Sequence, residues 1–463
     1  MTIAPGISDL VTQRLAAVEF ANLAASTVTA AKHVLLDACG VMLGASGMSA
    51  EVQPFAALAA ANGSGPCAVL GTGQMASATF AALANGAMAH ALDYEDAFDL
   101  APGHPNASLI PALIALAQAE GPVDGRRFLT ALAVGCDLSC RMGLALRRMM
   151  EDGGWYPPPI LAGFGAAAGS AHLLGLDAGR LRDALSLTLC QVTMPGEIKH
   201  SPATVIRAVR EAFPAQAAVL SALLAREGVT GFETPLEGQG GFYALYASGQ
   251  FDPADLTQGL GERFWIERLT FKPWPSCRGT HPFIELALRL RAEHGFSPDA
   301  IAAVEVRIDE VQRMLTEPAT RKNAPQVAID AKFSIPFCTA LALRHGAVDL
   351  DGFSAERLTD PAILQLAARV RPEVRPQSGW LRGSGGAMTV QLTDGRQFSA
   401  EVDNALGCPA RPLDEAALVN KFIDCAGRAQ RPWDTAAARD LATRILTLEE
   451  CSDVGALFAA APR

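Results

Sequence analysis

The chain has 463 residues, half of them apolar, and a formal charge of −10. A chain of that length buries a substantial core in about two to three domains, and its acidic balance argues against nucleic acid or an anionic membrane as a general partner. Alanine and leucine dominate while aromatic residues make up only 6%, a composition that favours helix over strand. No basic segment precedes an apolar run over residues 1–10, so no secretory signal is expected. No stretch of about 18 apolar residues runs without charge or turn residues, so no membrane span is expected and a cytoplasmic setting is the default. The ten cysteines contain no Cys-x-x-Cys pair, which points away from a zinc or iron–sulfur framework; no metal and no cofactor is expected.

In chain order, residues 7–20, 26–43 and 52–61 carry helical periodicity, with Ser26 or Thr27 as N-cap of the second. Ala68–Leu70 reads as a short apolar link closed by Gly71. Residues 80–89 form a further helix, and another begins at Pro105. Between these two lies His90-Ala-Leu-Asp-Tyr-Glu-Asp, followed by Gly103-His104-Pro105. Pro105 suits a first helical turn, so His104 stands near a helix N-terminus, where backbone N–H groups favour an anion. The same residues also read as a helix end fraying into an acidic, solvated loop.

Residues 125–150 read as a long helix, 153–159 as a rigid turn, and 160–174 as a helix whose Gly163, Gly165 and Gly169 permit close packing. A helix over 177–192 leads into a loop carrying Lys199 and His200, and 204–226 is helical again. Near Phe264 the texture changes. Residues 267–272 and 301–308 alternate as strands do, 281–293, 333–344 and 360–370 are helical, and 387–392 with 397–402 flank an Asp-Gly hairpin turn. Residues 413–456 return to helix. The expected fold class is therefore mostly α: a large all-helical domain from residues 1–266 and 406–463, with an inserted smaller α/β lid domain over 267–405. Loops facing each other between two such domains are a usual place for a ligand.

Only six of the 38 basic residues are lysines. Lysine retained in an arginine-rich chain suggests places where a compact ammonium serves and a planar fork does not, with chance retention at the surface as the plain alternative. Lys199 and Lys272 both sit in loops beside other polar groups. The loop Lys272-Pro-Trp-Pro-Ser-Cys-Arg-Gly-Thr-His281 is dense in functional side chains.

Taken together, 90–108, 154–177, Lys199, 272–281, Lys332-Phe-Ser-Ile-Pro, Gly407-Cys-Pro and Lys421-Phe422 resemble the MmgE/PrpD family. Its members include 2-methylcitrate dehydratase, cis-aconitate decarboxylase and iminodisuccinate epimerase. The resemblance covers nearly the whole chain. It implies a helical domain with a smaller α/β lid, a homodimer, and a cofactor-free site between the domains. The family's His-Ala-x-Asp-(Phe/Tyr)-Asp-Asp falls on His90–Asp96, with Glu95 where aspartate is usual. By that resemblance the catalytic residues are Asp93, His104, Lys199 and Lys272, and substrate contacts fall to Tyr156, His200, Cys277, Arg278, His281 and Ser334.

Three positions depart from the decarboxylase branch: Ala97 replaces a threonine, and Tyr156 and Cys277 replace histidines. Cysteine at the last position resembles the epimerase branch instead. Lys199-His-Ser-Pro-Ala replaces a Lys-Pro-x-His-x-Gly found in much of the family.

The resemblance implies a small anionic di- or tricarboxylate as substrate and a carbanion or enediolate beside a carboxylate as intermediate. Fixed cations must neutralise such an intermediate, and a histidine suits the proton transfer. His104 would move the proton, Asp93 would orient it, and Lys199, Lys272, Arg278 and His281 would supply the field. The expected activity is dehydration of a 2-methylcitrate-like hydroxy-polycarboxylate. A cofactor-free epimerase of an imino- or amino-dicarboxylate is the alternative, with a cis-aconitate-type decarboxylase behind it and a non-enzymatic dimeric binding protein as the remote class.

Overall fold

Helix Pro157–Leu173 is buried at every residue but His172. In the computed structural model, which describes residues 6–62, 64–201, 204–375 and 383–459, it packs against helices Asn106–Glu120, Gly125–Leu144, Ala178–Leu189 and Ala212–Arg226. Small residues make this possible. A Cβ on Gly165 would lie 2.5 Å from the Gly135 carbonyl oxygen and 2.8 Å from Ser139 Cβ, and one on Gly169 2.9 Å from the Ala131 carbonyl oxygen. The backbones of 125–144 and 157–173 thus meet directly, and side-chain volume is excluded from the seam. Pro157–Pro159, expected as a rigid turn, instead open this helix: proline gives up no helical hydrogen bond in a first turn.

These helices belong to a compact unit of residues 1–91, 101–269 and 414–463. Ala25–Met48 is another of its core helices, packed on Glu415–Gly427, where a Cβ on Gly40 would lie 3.1 Å from Phe422 Cα. Among the described residues it is the one helix long and apolar enough to cross a membrane, but 72% of that stretch is buried inside the protein. Its N-cap is Ala24, with no side-chain cap bond; Ser26 and Thr27 bond the Glu267 carboxylate instead. The expected link at 68–70 belongs to a small hairpin, Cys67–Val69 with Gln74–Ala76. The helix from Gly125 stops at Leu144, and 204–226 is broken into Ile206–Val209 and Ala212–Arg226.

The second unit comprises 92–100 and 270–413. Its sheet is centred on Ile301–Ile308, parallel to Val370–Val374 on one side and antiparallel to Gly386–Leu392 on the other; Gln397–Val402 completes the hairpin. Helices His281–His294 and Ile335–His345 pack together and on the sheet. The hairpin falls where the Asp-Gly signal puts it, with Gly395 at φ 89°. Two expectations fail. Residues 267–272 are no strand: Trp265–Arg268 is a 3-10 turn and Thr270 forms one isolated bridge with Ala97. Helix Pro361–Ala367 ends early, and Val370–Val374 is an edge strand, the position where a proline such as Pro372 costs no ladder bond to a second neighbour.

The helix seam gives a direct test. Gly165→Ala should lower stability by about 1–3 kcal/mol through overpacking, seen as a lower Tm in thermal unfolding. An unchanged Tm would mean that the two helices separate freely.

Candidate active site

In the second unit the chain builds one fixed point around Lys272. Thr270 and Ala97 exchange both backbone hydrogen bonds, at 2.8 and 2.9 Å, and Phe271 N–H donates to Gly407 O at 3.0 Å. Gly407 sits at φ 96°, and a Cβ there would collide with the Phe271 carbonyl, so only glycine allows this approach. Tyr94 Oη donates to Pro273 O at 3.2 Å, and Asp99 accepts from Thr270 Oγ1 at 2.8 Å and from Arg278 Nε at 3.2 Å. The acidic segment 92–100 is thereby stitched to the loop that follows Thr270.

Lys272 is fully buried and its Nζ donates to Asp93 Oδ1 at 2.6 Å and Asp93 O at 3.0 Å. Asp93 adopts φ 48°, a left-handed conformation that aspartate tolerates better than most residues. Burial pushes the Lys272 ammonium down, but the carboxylates of Asp93 and Glu95 outweigh it and hold the group above its ordinary value. This pairing favours the charged form of Lys272.

The other loop residues also bond within the unit. Arg278 donates to Asp99, Ala405 O and Leu406 O. His281 has Nε2 3.1 Å from Ser276 O and Nδ1 3.4 Å from Arg278 Nη1. Ser334 caps helix Ile335–His345 and donates to Lys322 O at 2.6 Å. Cys277 is half-buried, with its N–H on Lys332 O. Arg278, His281 and Ser334 thus each bond backbone oxygens of the loop or its neighbours.

In the first unit His104 is half-buried in the turn that opens helix Asn106–Glu120, and its carbonyl accepts from Ala107 N–H at 3.3 Å. His90, buried at the end of helix Ala78–Ala91, holds its ring centroid 5.2 Å from that of His104. A second cluster surrounds the buried Tyr156. Lys199 Nζ lies 5.4 Å from the ring centroid, and the guanidinium carbons of Arg207 and Arg210 lie at 5.8 and 5.1 Å. Arg210 Nη1 donates to Tyr156 Oη at 3.0 Å, while its Nε bonds Glu211, which also accepts from Ser108 at 2.6 Å. Lys199 is 3.4 Å from Glu151. Three cations around one phenol form a basic patch in an acidic protein. His200 is exposed, and Pro202 and Ala203 of the same segment lie outside the described residues.

Arg207 and Arg210 were not among the expected site residues. Lysine scarcity proves a broader sign than expected. All six lysines have a partner, and Lys322, Lys332 and Lys421 are buried on Phe333 O, Leu92 O and Asp37 as Lys272 is on Asp93. Four of the six lysines are thus buried, each with its ammonium on an oxygen of the protein.

The chain is a mostly helical protein with a fixed buried lysine–aspartate pair and a cationic cluster around a tyrosine. The profiles of the MmgE/PrpD N-terminal domain and the MmgE/PrpD C-terminal domain match residues 11–254 and 274–445. The chain belongs to the MmgE/PrpD family. It is 26% identical over 463 aligned positions to the cis-aconitate decarboxylase-like protein oryM of Aspergillus oryzae, covering 95% of this chain and 93% of that protein. It is 25% identical to cis-aconitate decarboxylase of Mus musculus, over 81% of this chain and 77% of that one. Cis-aconitate decarboxylase of Aspergillus terreus is 23% identical, over 85% and 83%.

The buried pair can be tested apart from catalysis. Lys272→Met leaves the Asp93 carboxylate without its ammonium and should cost about 3–5 kcal/mol. Adding Asp93→Asn should recover a large part of that loss in thermal unfolding. Additive losses in the double variant would show that the two side chains are not coupled.

Proposed function

We propose that the protein is a cofactor-independent lyase that acts on a small polycarboxylate through a carbanion or enediolate beside a carboxylate. The reading rests on one observation: Lys199, Arg207 and Arg210 all lie within 6 Å of the Tyr156 ring. Such a group favours an anionic substrate and the negative charge that grows as a proton leaves carbon. Lys272, held as a charged ammonium, is assigned to the same stabilisation. His104 is assigned the proton transfer: it takes the proton beside the carboxylate, and the electron pair of that C–H bond becomes the new double bond as the leaving group departs. The Tyr156 hydroxyl, which accepts from Arg210, still has its own proton to donate to a substrate oxygen.

Dehydration of a hydroxy-polycarboxylate of the 2-methylcitrate kind is the first reading, because Ala97, Tyr156 and Cys277 depart from the decarboxylase pattern. Decarboxylation is the second reading, favoured by the names of the relatives. In dehydration the hydroxyl leaves as water and an alkene absorbance rises. In decarboxylation the electron pair of the C–C bond stays on carbon, CO2 is released and a solvent proton is taken up. Epimerisation gives neither product, and solvent deuterium enters recovered substrate.

A panel of 2-methylcitrate, cis-aconitate and amino-dicarboxylates assayed for these three products separates the reactions. No turnover of any polycarboxylate would sink the proposal. On the true substrate, His104→Ala should lower turnover by roughly 10²–10⁴-fold with the fold intact; near-normal activity would make His104 a helix-end residue.

Lys272→Arg keeps charge in a wider planar group, so binding should outlast turnover. Lys272→Met should lower turnover by roughly 10²-fold or more. A fully active Lys272→Arg enzyme would mean that the shape of the ammonium is immaterial.

A further inference from the structure

In the helical unit the 3-10 turns Met150–Gly153 and Gly196–Lys199 are fastened to one another. Gly196 N–H donates to Gly154 O at 2.7 Å, Tyr156 N–H donates to Met194 O at 2.8 Å, and Trp155 bridges Pro195. Gly154, at φ 79°, turns the chain back after the first of these turns. The fastening fixes a carboxylate beside the cations around Tyr156: Glu151 Oε1 lies 3.4 Å from Lys199 Nζ, which is itself 5.4 Å from the Tyr156 ring centroid. No step of the proposed reaction uses Glu151.

Neutralising its neighbours does not account for this carboxylate. Arg210 already has Glu211, at 3.0 Å and with both side chains fully buried. The Lys199–Glu151 pair is longer than an ordinary N–H···O bond and its side chains are 21% and 30% exposed, so it adds little stability. The other oxygen, Glu151 Oε2, is buried and accepts no hydrogen bond among the described residues. Unsatisfied buried polar atoms are rare in native proteins and costly, which marks the places where something else completes the bonding. What completes it here must be a donor. A substrate carboxylate brought to Oε2 would be repelled, whereas a hydroxyl would make a charge-assisted hydrogen bond.

We propose that Glu151 Oε2 accepts a hydrogen bond from the hydroxyl of a hydroxy-polycarboxylate whose carboxylates bind the cations around Tyr156. Glu151 thereby sets a preference for polycarboxylates that carry a hydroxyl over those that lack one. The inference rests on the polycarboxylate reading and adds the feature by which one such substrate is told from another. Cations alone attract any small polyanion. A carboxylate among them weakens every such anion by like-charge repulsion and compensates only one that brings a donor. A site built to bond a hydroxyl rejects the analogue without it strongly, because the buried acceptor is then left unpaired.

The test measures binding of citrate and of tricarballylate, which differ by one hydroxyl, to the full chain by isothermal titration calorimetry. The wild-type protein should bind citrate at least about tenfold more tightly, as one hydrogen bond to a charged acceptor implies. Glu151→Leu should abolish that preference, with tricarballylate bound as tightly as before or better. Glu151→Gln keeps an acceptor oxygen without the charge and should retain part of the preference; thermal unfolding checks that both variants are folded. If Glu151 served only to hold Lys199, both ligands would weaken alike and their ratio would persist in Glu151→Leu, which overturns the proposal. Equal affinity of the two ligands for the wild-type protein also overturns it, with water then serving Oε2, and leaves the polycarboxylate reading standing. Binding of neither ligand overturns the proposal and that reading together.

Discussion

The buried ion pair of Lys272 and Asp93 is the constraint around which the second unit's loops are arranged. Removing two charges from water costs several kcal/mol per ion, and their attraction offsets this only with close geometry and further hydrogen bonds. Both conditions are met. The ammonium bonds the carboxylate at 2.6 Å and the Asp93 carbonyl at 3.0 Å, with Glu95 adding its field. The backbone on either side is tied down independently, by Thr270 on Ala97, Phe271 on Gly407 and Tyr94 on Pro273. Such a pair adds little net stability. What it supplies is a fixed position for both side chains in the interior of the unit.

The helical unit solves a different problem by opposite means. Its core is made of alanine, glycine and leucine, and helices 125–144 and 157–173 touch backbone to backbone at Gly135 and Gly165. Close packing of that kind resists local movement. Set into it are groups that would be costly without partners: Arg210 and Glu211 are both fully buried, and they satisfy one another, Tyr156 and Ser108. Rigid apolar seams thus carry a short chain of polar groups that runs from Ser108 through Glu211 and Arg210 to the Tyr156 hydroxyl.

Much of this was legible in the sequence, and the limits have physical causes. Periodicity placed the long helices and the strand Ile301–Ile308, and Asp-Gly placed the hairpin, because both signals are local. The strand Val370–Val374 was hidden because it is an edge strand interrupted by Pro372, a residue that argues against strand in any central position. The alternation over 267–272 misled because Thr270 pairs with a single residue of a distant loop. Among site residues, Lys272 and Asp93 could be named from the motif, but their mutual bond could not. Arg207 and Arg210 passed unnoticed since a charged residue in a helical pattern reads as a solvated face until burial is known.

The departures from the decarboxylase pattern gain meaning from this geometry. Ala97 keeps both backbone bonds to Thr270, so replacing a threonine there removes a hydroxyl without disturbing the bridge that positions Lys272. Tyr156 takes the place of a histidine yet keeps a polar tip, and that tip is pinned by Arg210. Cys277, bonded through its backbone to Lys332 O, retains the loop's path while replacing a ring by a small thiol. At all three positions the bonds that fix the local backbone or side chain are present.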